Sequence, residues 1–197
     1  VTVAADTERA LAAARERHGA ARIVVNCAGI GPAARIVGRD AAPMPLAEFR
    51  RVVEVNLIGS FNLLRLTAAD MTLLGQRGEG ERGLIVLTAS VAAFEGQIGQ
   101  AAYSASKGGI VGLTLPAARE LARYGVRVVA IAPGLFATPM LKGLPQAVQD
   151  SLAASVPFPA RLGRPEEYAR LALDLCRNPM INGTVIRLDG ALRMAPR

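Results

Sequence analysis

Histidine, cysteine and aromatic residues are scarce in this 197-residue sequence, which has one His, two Cys, no Trp and 4% aromatic residues. His18 ends the charged run RERHG, a pattern that favours a solvated helix C-terminus over catalysis. Cys27 and Cys176 lie far apart, and we expect two reduced thiols, neither of them a nucleophile. The composition disfavours histidine-based catalytic triads and metal sites, and we predict none.

Long hydrophobic runs are also missing. The longest charge-free stretches, such as 83–94 and 128–141, are shorter than the 18 or more apolar residues that a membrane span needs. The N-terminal stretch VTVAADTERALAAARERHG lacks a basic flank followed by an apolar core, so it does not read as a signal peptide or anchor. We therefore expect a cytoplasmic protein without a membrane partner.

Positive charge is in excess, with a formal net charge of +7 and a pI near 10.4. Such a charge invites a nucleic-acid interpretation, because clustered basic side chains neutralise phosphates. Here, however, the arginines are scattered along the sequence, and there is no basic run. We predict a solvated surface that attracts an anionic cofactor or thioester substrate, and no nucleic-acid partner.

Apolar runs rich in Val and Ile alternate with segments of helical period. The runs 21–26, 83–90, 126–133 and 183–190 predict four strands, and the segments 6–18, 46–74, 101–123 and 165–177 predict helices. This alternation predicts parallel pairing with right-handed crossovers in one doubly wound α/β domain over 1–197. No internal repeat or linker interrupts it.

Polar residues gather at the predicted carboxyl ends of these strands, where such sheets bind ligands. Asn26 ends the first strand, Ser90 the second, and Thr138 follows the third. Tyr103 and Lys107 are four residues apart, so on a helix they share one face. This convergence predicts a site at that edge.

The pairing of a phenol with an ammonium suggests acid/base chemistry. An adjacent ammonium favours the phenolate, so we expect Lys107 to lower the pKa of Tyr103 and make it a general base. Ser90 could hydrogen-bond the oxygen that loses its proton. These parts suit proton removal from an alcohol whose hydride passes to a nicotinamide cofactor.

Several motifs together resemble the short-chain dehydrogenase/reductase family. Ser90, Tyr103 and Lys107 within YSASK match its Ser, Tyr-x-x-x-Lys signature. NCAG at 26–29 resembles its NAG motif, Asn56 in VNLIG its fourth catalytic residue, and PGLFAT at 133–138 its PG motif. The stretches TASVAAFEGQIGQAAYSASKGGIVGLTLP and IRLDGALRM are most similar to members that act on 3-hydroxyacyl-CoA.

The resemblance implies NAD as cofactor, a small acyl-CoA or related alcohol as substrate, and a homotetramer. It implies that Tyr103 is the acid/base, that Lys107 binds the nicotinamide ribose, and that Asn56 holds a water on the proton path. Ser90 and Gln97 would contact the substrate. The implied cofactor-binding residues are Val1, Asn26, Cys27, Ala28, Gly29, Tyr103, Lys107, Pro133, Phe136 and Thr138.

Each assignment has a structural alternative. The alternatives are that Asn56 only satisfies backbone groups in its own long helix, and that Ser90 and Thr138 only cap turns. Cys27 is interpreted as a buried small hydrophobe that lines the cofactor site through its backbone. The segment 138–160, with prolines and short helical patterns, is expected to be a flap over the substrate.

The family's glycine-rich turn TG-x-x-x-G-x-G is absent from this sequence. We expect Val1 to align after the family's third strand, so that the first strand-helix units are missing and the Rossmann-like three-layer sandwich is N-terminally incomplete. Two candidates for an alternative phosphate nest are Gly29 and Gly31, while GEGERG at 78–83 lies beside the wrong elements. A non-catalytic remnant that forms oligomers or binds partners is the alternative function.

Overall fold

Four parallel strands form the sheet of the computed structural model, which describes residues 1–196 and, at Met140 and Lys142, the backbone alone. They are β1 (Ile23–Asn26), β2 (Gly83–Thr88), β3 (Val126–Pro133) and β4 (Val185–Leu188). The strands lie side by side in chain order and every pair is parallel. The predicted strands are confirmed, and three are shorter than predicted because their terminal residues leave the ladder.

Seven α-helices accompany the sheet in the described part of the chain: α1 (Ala4–His18), α2 (Leu46–Val53), α3 (Gly59–Thr72), α4 (Ala101–Ala122), α5 (Pro139–Lys142), α6 (Gln146–Ala154) and α7 (Pro165–Arg177). A π-helical turn, Glu54–Ile58, joins α2 to α3 within the single helix predicted for 46–74. A short 3₁₀ turn, Val91–Ala93, follows β2. Such π turns concentrate at functional sites, and this one contains Asn56.

The central strand β2 is covered on both faces of the sheet, and its side chains alternate between those faces. Ile85 and Leu87 face α3 and α4, whereas Leu84 and Val86 face α7. All four are at most 1% exposed. Their near-continuous apolar run therefore reflects a strand buried on both sides, and the result is a Rossmann-like, doubly wound α/β fold in three layers.

The position of α7 corrects one expectation. Helices α3 and α4 cross over one face between successive neighbouring strands, while α7 crosses the opposite face between β3 and β4. Since the sheet grows in one direction throughout, the last crossover has the opposite hand to the two before it. The rule of right-handed crossovers therefore does not hold for all three connections.

One helical stretch, Leu46–Thr72, is 27 residues long, and its most apolar 18 residues have a mean hydropathy of 1.2, enough to cross a membrane by length and composition. Length and composition alone are weak evidence, and 44% of its most apolar window is buried inside the fold. Its residues Leu64, Ala68 and Met71 pack in the core against the sheet. This stretch is the core helix of the α3/α4 layer.

The segment 138–160 contains two short helices, α5 and α6, as the proline pattern indicated. No residue of α6 is buried, and all nine are described. Val156, just beyond it, is 5% exposed and lines a small cavity with Phe136 and Leu188. The segment is thus attached to the domain mainly at its ends.

Candidate active site

The carboxyl ends of β1, β2 and β3 meet the first two turns of α4. Ser90 lies two residues beyond β2, and Tyr103 and Lys107 are on α4, as the sequence predicts. Apolar contacts of α4 with the sheet, through Ile110 and Ala117, fix the register of that helix. The fold thereby brings together three side chains that are up to 17 residues apart in sequence.

Lys107 is a buried cation, 4% exposed. Its Nζ donates to the Thr88 carbonyl oxygen at 2.7 Å, at the end of β2. Burial lowers the pKa of Lys107 to about 8, and the nearby Cys27 partly offsets this effect. An ammonium has three N–H groups, so two remain for a ligand.

Tyr103 corrects the expectation that its neighbour lowers its pKa. Burial raises the pKa of the phenol above its ordinary value, and an interaction with the Ser90 side chain opposes the rise. The Lys107 Nζ lies 5.8 Å from the centroid of the Tyr103 ring and is directed to a backbone carbonyl. Desolvation of the phenolate therefore outweighs the interaction with Ser90 and sets the direction of the pKa shift.

Ser90 combines a capping role with a place in the site. Its backbone is extended, and its Oγ accepts a hydrogen bond from the Ala92 N–H at 3.1 Å, which caps the 3₁₀ turn. The side chain also interacts with Tyr103. The two interpretations from sequence are compatible, because a hydroxyl that accepts one bond can still donate one.

Asn56 is fully buried in the π-helical turn and bridges three segments. Its Oδ1 accepts from the Ile30 N–H at 2.8 Å, and its Nδ2 donates to the Ile30 carbonyl at 2.9 Å. The same Nδ2 donates to Ser106 Oγ at 3.0 Å, and that hydroxyl donates to the Tyr103 carbonyl at 2.7 Å. Asn56 thus couples the loop after β1 to the helix that carries Tyr103, instead of satisfying groups of its own helix.

The loop after β1 is held by a buried amide. Asn26 donates from Nδ2 to Ser60 Oγ at 2.8 Å and accepts from the Ala28 N–H at 3.1 Å. Gly29 lies where a Cβ atom would come within 3.3 Å of Asn56 Oδ1 and 3.5 Å of Lys107 Nζ. The predicted residues Asn26, Ala28 and Gly29 therefore line the same edge as Lys107.

Cys27 differs from its predicted state, because it is exposed and not buried. It is the first residue beyond β1, where the chain leaves the sheet. Thr88 Oγ1 lies 3.8 Å from the Cys27 sulfur and donates to the Asn26 carbonyl at 2.7 Å. Cys27 therefore presents a thiol, as well as its backbone, beside Lys107.

Pro133 ends β3, and Phe136 and Thr138 follow it at the same edge. Phe136 is 9% exposed, and its ring lies against Gly163, where a Cβ would come within 2.8 Å of it. Thr138 caps α5 without a side-chain hydrogen bond to that helix. Its hydroxyl is therefore not used by the turn, contrary to the capping alternative.

The structure places Val1 and Gln97 at the periphery of this edge. The Val1 carbonyl accepts from Asn62 Nδ2 at 2.9 Å, and its side chain lies against Gly59 on α3. Gln97 Nε2 donates to the Ala195 carbonyl at 3.0 Å, near the C-terminus. Gln97 is thus tied to the C-terminal segment, which contributes to the same side of the site.

The sequence did not predict two sets of side-chain contacts near the site. Tyr168 on α7 shares a 2.7 Å hydrogen bond with Thr88, and burial raises its pKa. Arg187 on β4 binds both Glu95 carboxylate oxygens, at 2.7 and 2.8 Å, and Asp189 at 2.7 Å, which anchors the segment after Ser90. These residues gave no local signal, because each one acts through a partner at least 80 residues away or on another element.

Gly29 and Gly31 do not form a phosphate nest of the αR-αL type. That type needs a residue in the left-handed region, and neither glycine has a positive φ. Among the described residues there is also no group of three or more His, Cys, Asp or Glu side chains that could hold a metal ion.

Comparison with known proteins shows which proteins share this sequence and geometry. The sequence model of the short chain dehydrogenases matches residues 1–149. The chain is 55% identical to 3-hydroxyacyl-CoA dehydrogenase type-2 of Bos taurus and 51% identical to that of Drosophila melanogaster, over all of this chain and 76% and 77% of those proteins. A solved structure of the type-2 enzyme from Mycobacterium avium superposes with a TM-score of 0.94 at 44% identity, covering 100% of this chain and 76% of that one.

The chain belongs to the short-chain dehydrogenase family. Members of this family are oxidoreductases that use a nicotinamide cofactor. The chain is therefore an oxidoreductase that transfers a hydride. The alternative of a non-catalytic remnant is not favoured.

The donors at this edge fit the cofactor of a short-chain dehydrogenase. Lys107 keeps two N–H groups after its bond to Thr88, and the Tyr103 phenol is beside it. Gly29 has no side chain to fill the space next to Asn56 and Lys107. Lys107 would hold a ribose hydroxyl, and the segment from Pro133 to Thr138 would meet the nicotinamide end.

Proposed function

We propose that this chain oxidises 3-hydroxyacyl-CoA, or reduces the corresponding 3-ketoacyl-CoA, with NAD as its cofactor. The observation that carries the proposal is identity of 51–55% over the whole chain to 3-hydroxyacyl-CoA dehydrogenases, with Ser90, Tyr103 and Lys107 assembled at one edge. The cofactor supplies the hydride acceptor or donor. The chain's own residues supply the proton transfer.

Tyr103 Oη takes the proton from the substrate hydroxyl during oxidation and returns it during reduction. Ser90 Oγ accepts a hydrogen bond from the Ala92 N–H and donates its own hydrogen to the substrate oxygen. Lys107 orients the cofactor ribose and stays hydrogen-bonded to Thr88. Asn56 positions Tyr103 through Ser106 and has no free amide hydrogen with which to donate to a water.

The raised pKa of Tyr103 gives this mechanism a pH signature. Oxidation needs the deprotonated phenol, so its rate should rise from neutral to alkaline pH. Reduction needs the protonated phenol, which is the dominant form at neutral pH, so its rate should be level there and fall only at alkaline pH. The rates of oxidation and of reduction, each measured from pH 6 to 10, test whether their pH dependences differ. Parallel pH profiles would contradict the prediction.

The substrate class is tested with a panel. Acetoacetyl-CoA and NADH should give turnover with the purified protein, whereas sugars and polyols of similar size should be poor substrates. The lightly attached segment 138–160 supports a bulky substrate, because it can move without disturbing the core. A panel in which polyols react and thioesters are inert would overturn the proposal and leave only the family-level activity.

The choice of NAD over NADP is tested by comparing NADH with NADPH at equal concentration. We place Val1 and Cys27 on the adenosine side of the cofactor. Cys27 is exposed just beyond the carboxyl end of β1. Val1 packs beside α3, and 42% of it remains exposed. A preference for NADPH would contradict this part of the proposal.

We also propose a homotetramer. Apolar side chains on α3, on its preceding π turn and at its C-cap support self-association: Ile58, Phe61 and Leu73 are 52%, 48% and 85% exposed. Light scattering coupled to size exclusion would give the mass. A monomer at micromolar concentration would contradict the assembly without affecting the proposed chemistry.

A cytoplasmic location is proposed on a single supporting feature, the two unpaired cysteine thiols. Fractionation of the source cells tests it. Recovery in a membrane-bounded compartment would overturn it.

A further inference from the structure

A cleft lies at the amino ends of the strands, on the edge opposite the active site. Its volume is about 780 Å³, and its lining includes the starts of β1, β2 and β3. One wall is the turn 76–82, closed by reciprocal backbone hydrogen bonds between Arg77 and Glu81 at 2.8 and 3.0 Å. Gly78 and Gly80 in this turn have φ values of +49° and +100°, so GEGERG is a tight turn of this wall.

Arginines dispersed in sequence gather in this amino-end cleft. Of its lining residues, six are arginines and two are glutamates, which gives a formal charge of +4. The whole chain has a formal net charge of +7. The six are Arg22, Arg77, Arg82, Arg123, Arg127 and Arg177. Arginines that are scattered along the sequence are therefore clustered in three dimensions.

Backbone carbonyls hold two of these guanidinium groups. Arg22 donates to the carbonyls of Arg82 and Gly75 at 3.1 and 2.9 Å. Arg82 donates to the carbonyls of Leu74 and Tyr124, both at 2.8 Å. Carbonyls orient a guanidinium without neutralising it, and each group uses only two of its five N–H donors here. Both guanidinium groups are thus held in place and keep N–H donors that could bind a ligand.

Arg127 forms part of the cleft floor and is 6% exposed. Its Nη1 donates to three carbonyls, at 2.9 to 3.3 Å, and its Nη2 pairs with Glu81 at 3.1 Å. The Arg127 Nε is buried and has no hydrogen-bond partner among the described residues. Glu81 therefore offsets one buried arginine, and the charges of Arg22, Arg77, Arg82 and Arg123 remain without a carboxylate partner in the described structure.

We propose that the amino-end cleft binds a small polyphosphate ligand, either a nucleotide or a free polyphosphate. The volume is in the range of small-molecule sites, and several fixed guanidinium groups suit several phosphates. The charge is concentrated in a recess and not along a face. These features favour a small anion over a nucleic-acid strand.

The test is a calorimetric titration of the protein with inorganic tripolyphosphate and, separately, with ADP. The double variant Arg77→Gln/Arg123→Gln removes two charges that do not hold backbone carbonyls. The matched control, Arg50→Gln/Arg170→Gln, removes two exposed charges outside the lining. We expect affinity for tripolyphosphate to fall about tenfold or more in the first variant and less than twofold in the control.

The outcomes distinguish the sources of phosphate and the possible sites. Tighter binding of ADP than of tripolyphosphate identifies a nucleotide, and the reverse order a free polyphosphate. Equal weakening in both double variants, or no binding at all, would overturn the proposal. Binding that is lost in Lys107→Gln and kept in Arg77→Gln/Arg123→Gln would assign the anion to the cofactor edge. Cleft-dependent binding of an RNA oligonucleotide without binding of tripolyphosphate would replace the small ligand with a nucleic acid.

Discussion

The two ends of the sheet use polar residues in opposite ways. At the carboxyl end, Asn26, Asn56 and Lys107 are buried, and hydrogen bonds connect their side chains to neighbouring segments. At the amino end, backbone carbonyls hold the side chains of Arg22 and Arg82, and neither has a carboxylate partner among the described residues. Burial lowers the pKa of Lys107, whereas a carbonyl orients a guanidinium without neutralising it. The first arrangement suits proton transfer and the second suits electrostatic binding.

The largest expected effect comes from removing the phenol at the carboxyl end. Tyr103→Phe deletes the proposed acid/base while leaving the ring in place, so turnover should fall about two to four orders of magnitude. NADH binding should be nearly unchanged. Steady-state kinetics with acetoacetyl-CoA and a fluorescence titration of NADH measure the two quantities.

A matched tyrosine lies at the amino end. Tyr124→Phe removes a hydroxyl that interacts with Arg123, and turnover should stay within about twofold of the wild-type value. Equal losses in both variants would show that the effect of Tyr103→Phe is structural. Wild-type turnover in Tyr103→Phe would remove the assignment of the acid/base.

The second effect concerns the charge state of Lys107. Because its folded pKa of about 8 is below the ordinary value of 10.5, the unfolded chain binds more protons between these two pH values. The free energy of unfolding contributed by this group should therefore increase as pH rises from about 8 to 10.5, by up to about 3 kcal/mol.

Urea denaturation of the wild type and of Lys107→Met at pH 7.5 and 10.5 measures the contribution. The difference between the two proteins should change with pH in favour of the wild type at the higher pH. A difference that does not depend on pH would contradict a lowered pKa. The same comparison for Arg77→Gln/Arg123→Gln should show little pH dependence, because arginine stays charged throughout.

The third effect is on the coupling between segments at the carboxyl end. Asn56→Ala leaves the Ile30 N–H and C=O without their partner, and the cost should be about 1–3 kcal/mol of unfolding free energy. Turnover should also fall, because Tyr103 loses its link through Ser106.

Asn182→Ala is the control, since the Asn182 side chain also holds a backbone group, the Val128 N–H, but does so at the amino end of the sheet. It should cost stability without an equal loss of turnover per folded molecule. If both variants lower turnover alike, Asn56 has no special positioning role.

The smallest effect is expected at the ion pair between Arg187 and Glu95. Both side chains are about a quarter exposed, so solvent screens the pair, and Glu95→Gln should cost about 1 kcal/mol. For a chain of this size that corresponds to a decrease in Tm of about 2–4 °C. Differential scanning fluorimetry against the exposed control Glu120→Gln tests this, and equal Tm values would show that the pair contributes nothing.

The sequence was informative wherever local pattern and local chemistry coincide. Val and Ile runs such as 126–133 predict buried strands, and the spacing from Tyr103 to Lys107 predicts a shared helix face; both are present. The ordered motifs around Ser90 and Asn56 indicated the family, which the comparisons confirm. The roles assigned to individual residues stay predictions.

Other features required distances that a sequence does not contain. The exposure of Cys27 depends on how the chain leaves β1, and the pKa of Tyr103 depends on how much water reaches the phenol. The expectation for Tyr103 was wrong because spacing reveals a neighbouring charge and does not reveal the desolvation that raises the pKa of the phenol.

The sequence by itself determined the alternation of strands and helices, the parallel sheet and the residues available for proton transfer, because apolar periodicity and motif spacing are local properties. The tertiary structure decided which face α7 covers, which partners hold Asn56 and Lys107, and how the arginines cluster. Arg22 and Arg123 are 101 positions apart in sequence yet line one cleft, since parallel strands bring all their amino ends to one edge. Burial and charge density arise only when these distant segments meet, and they set the chemistry of both ends of the sheet.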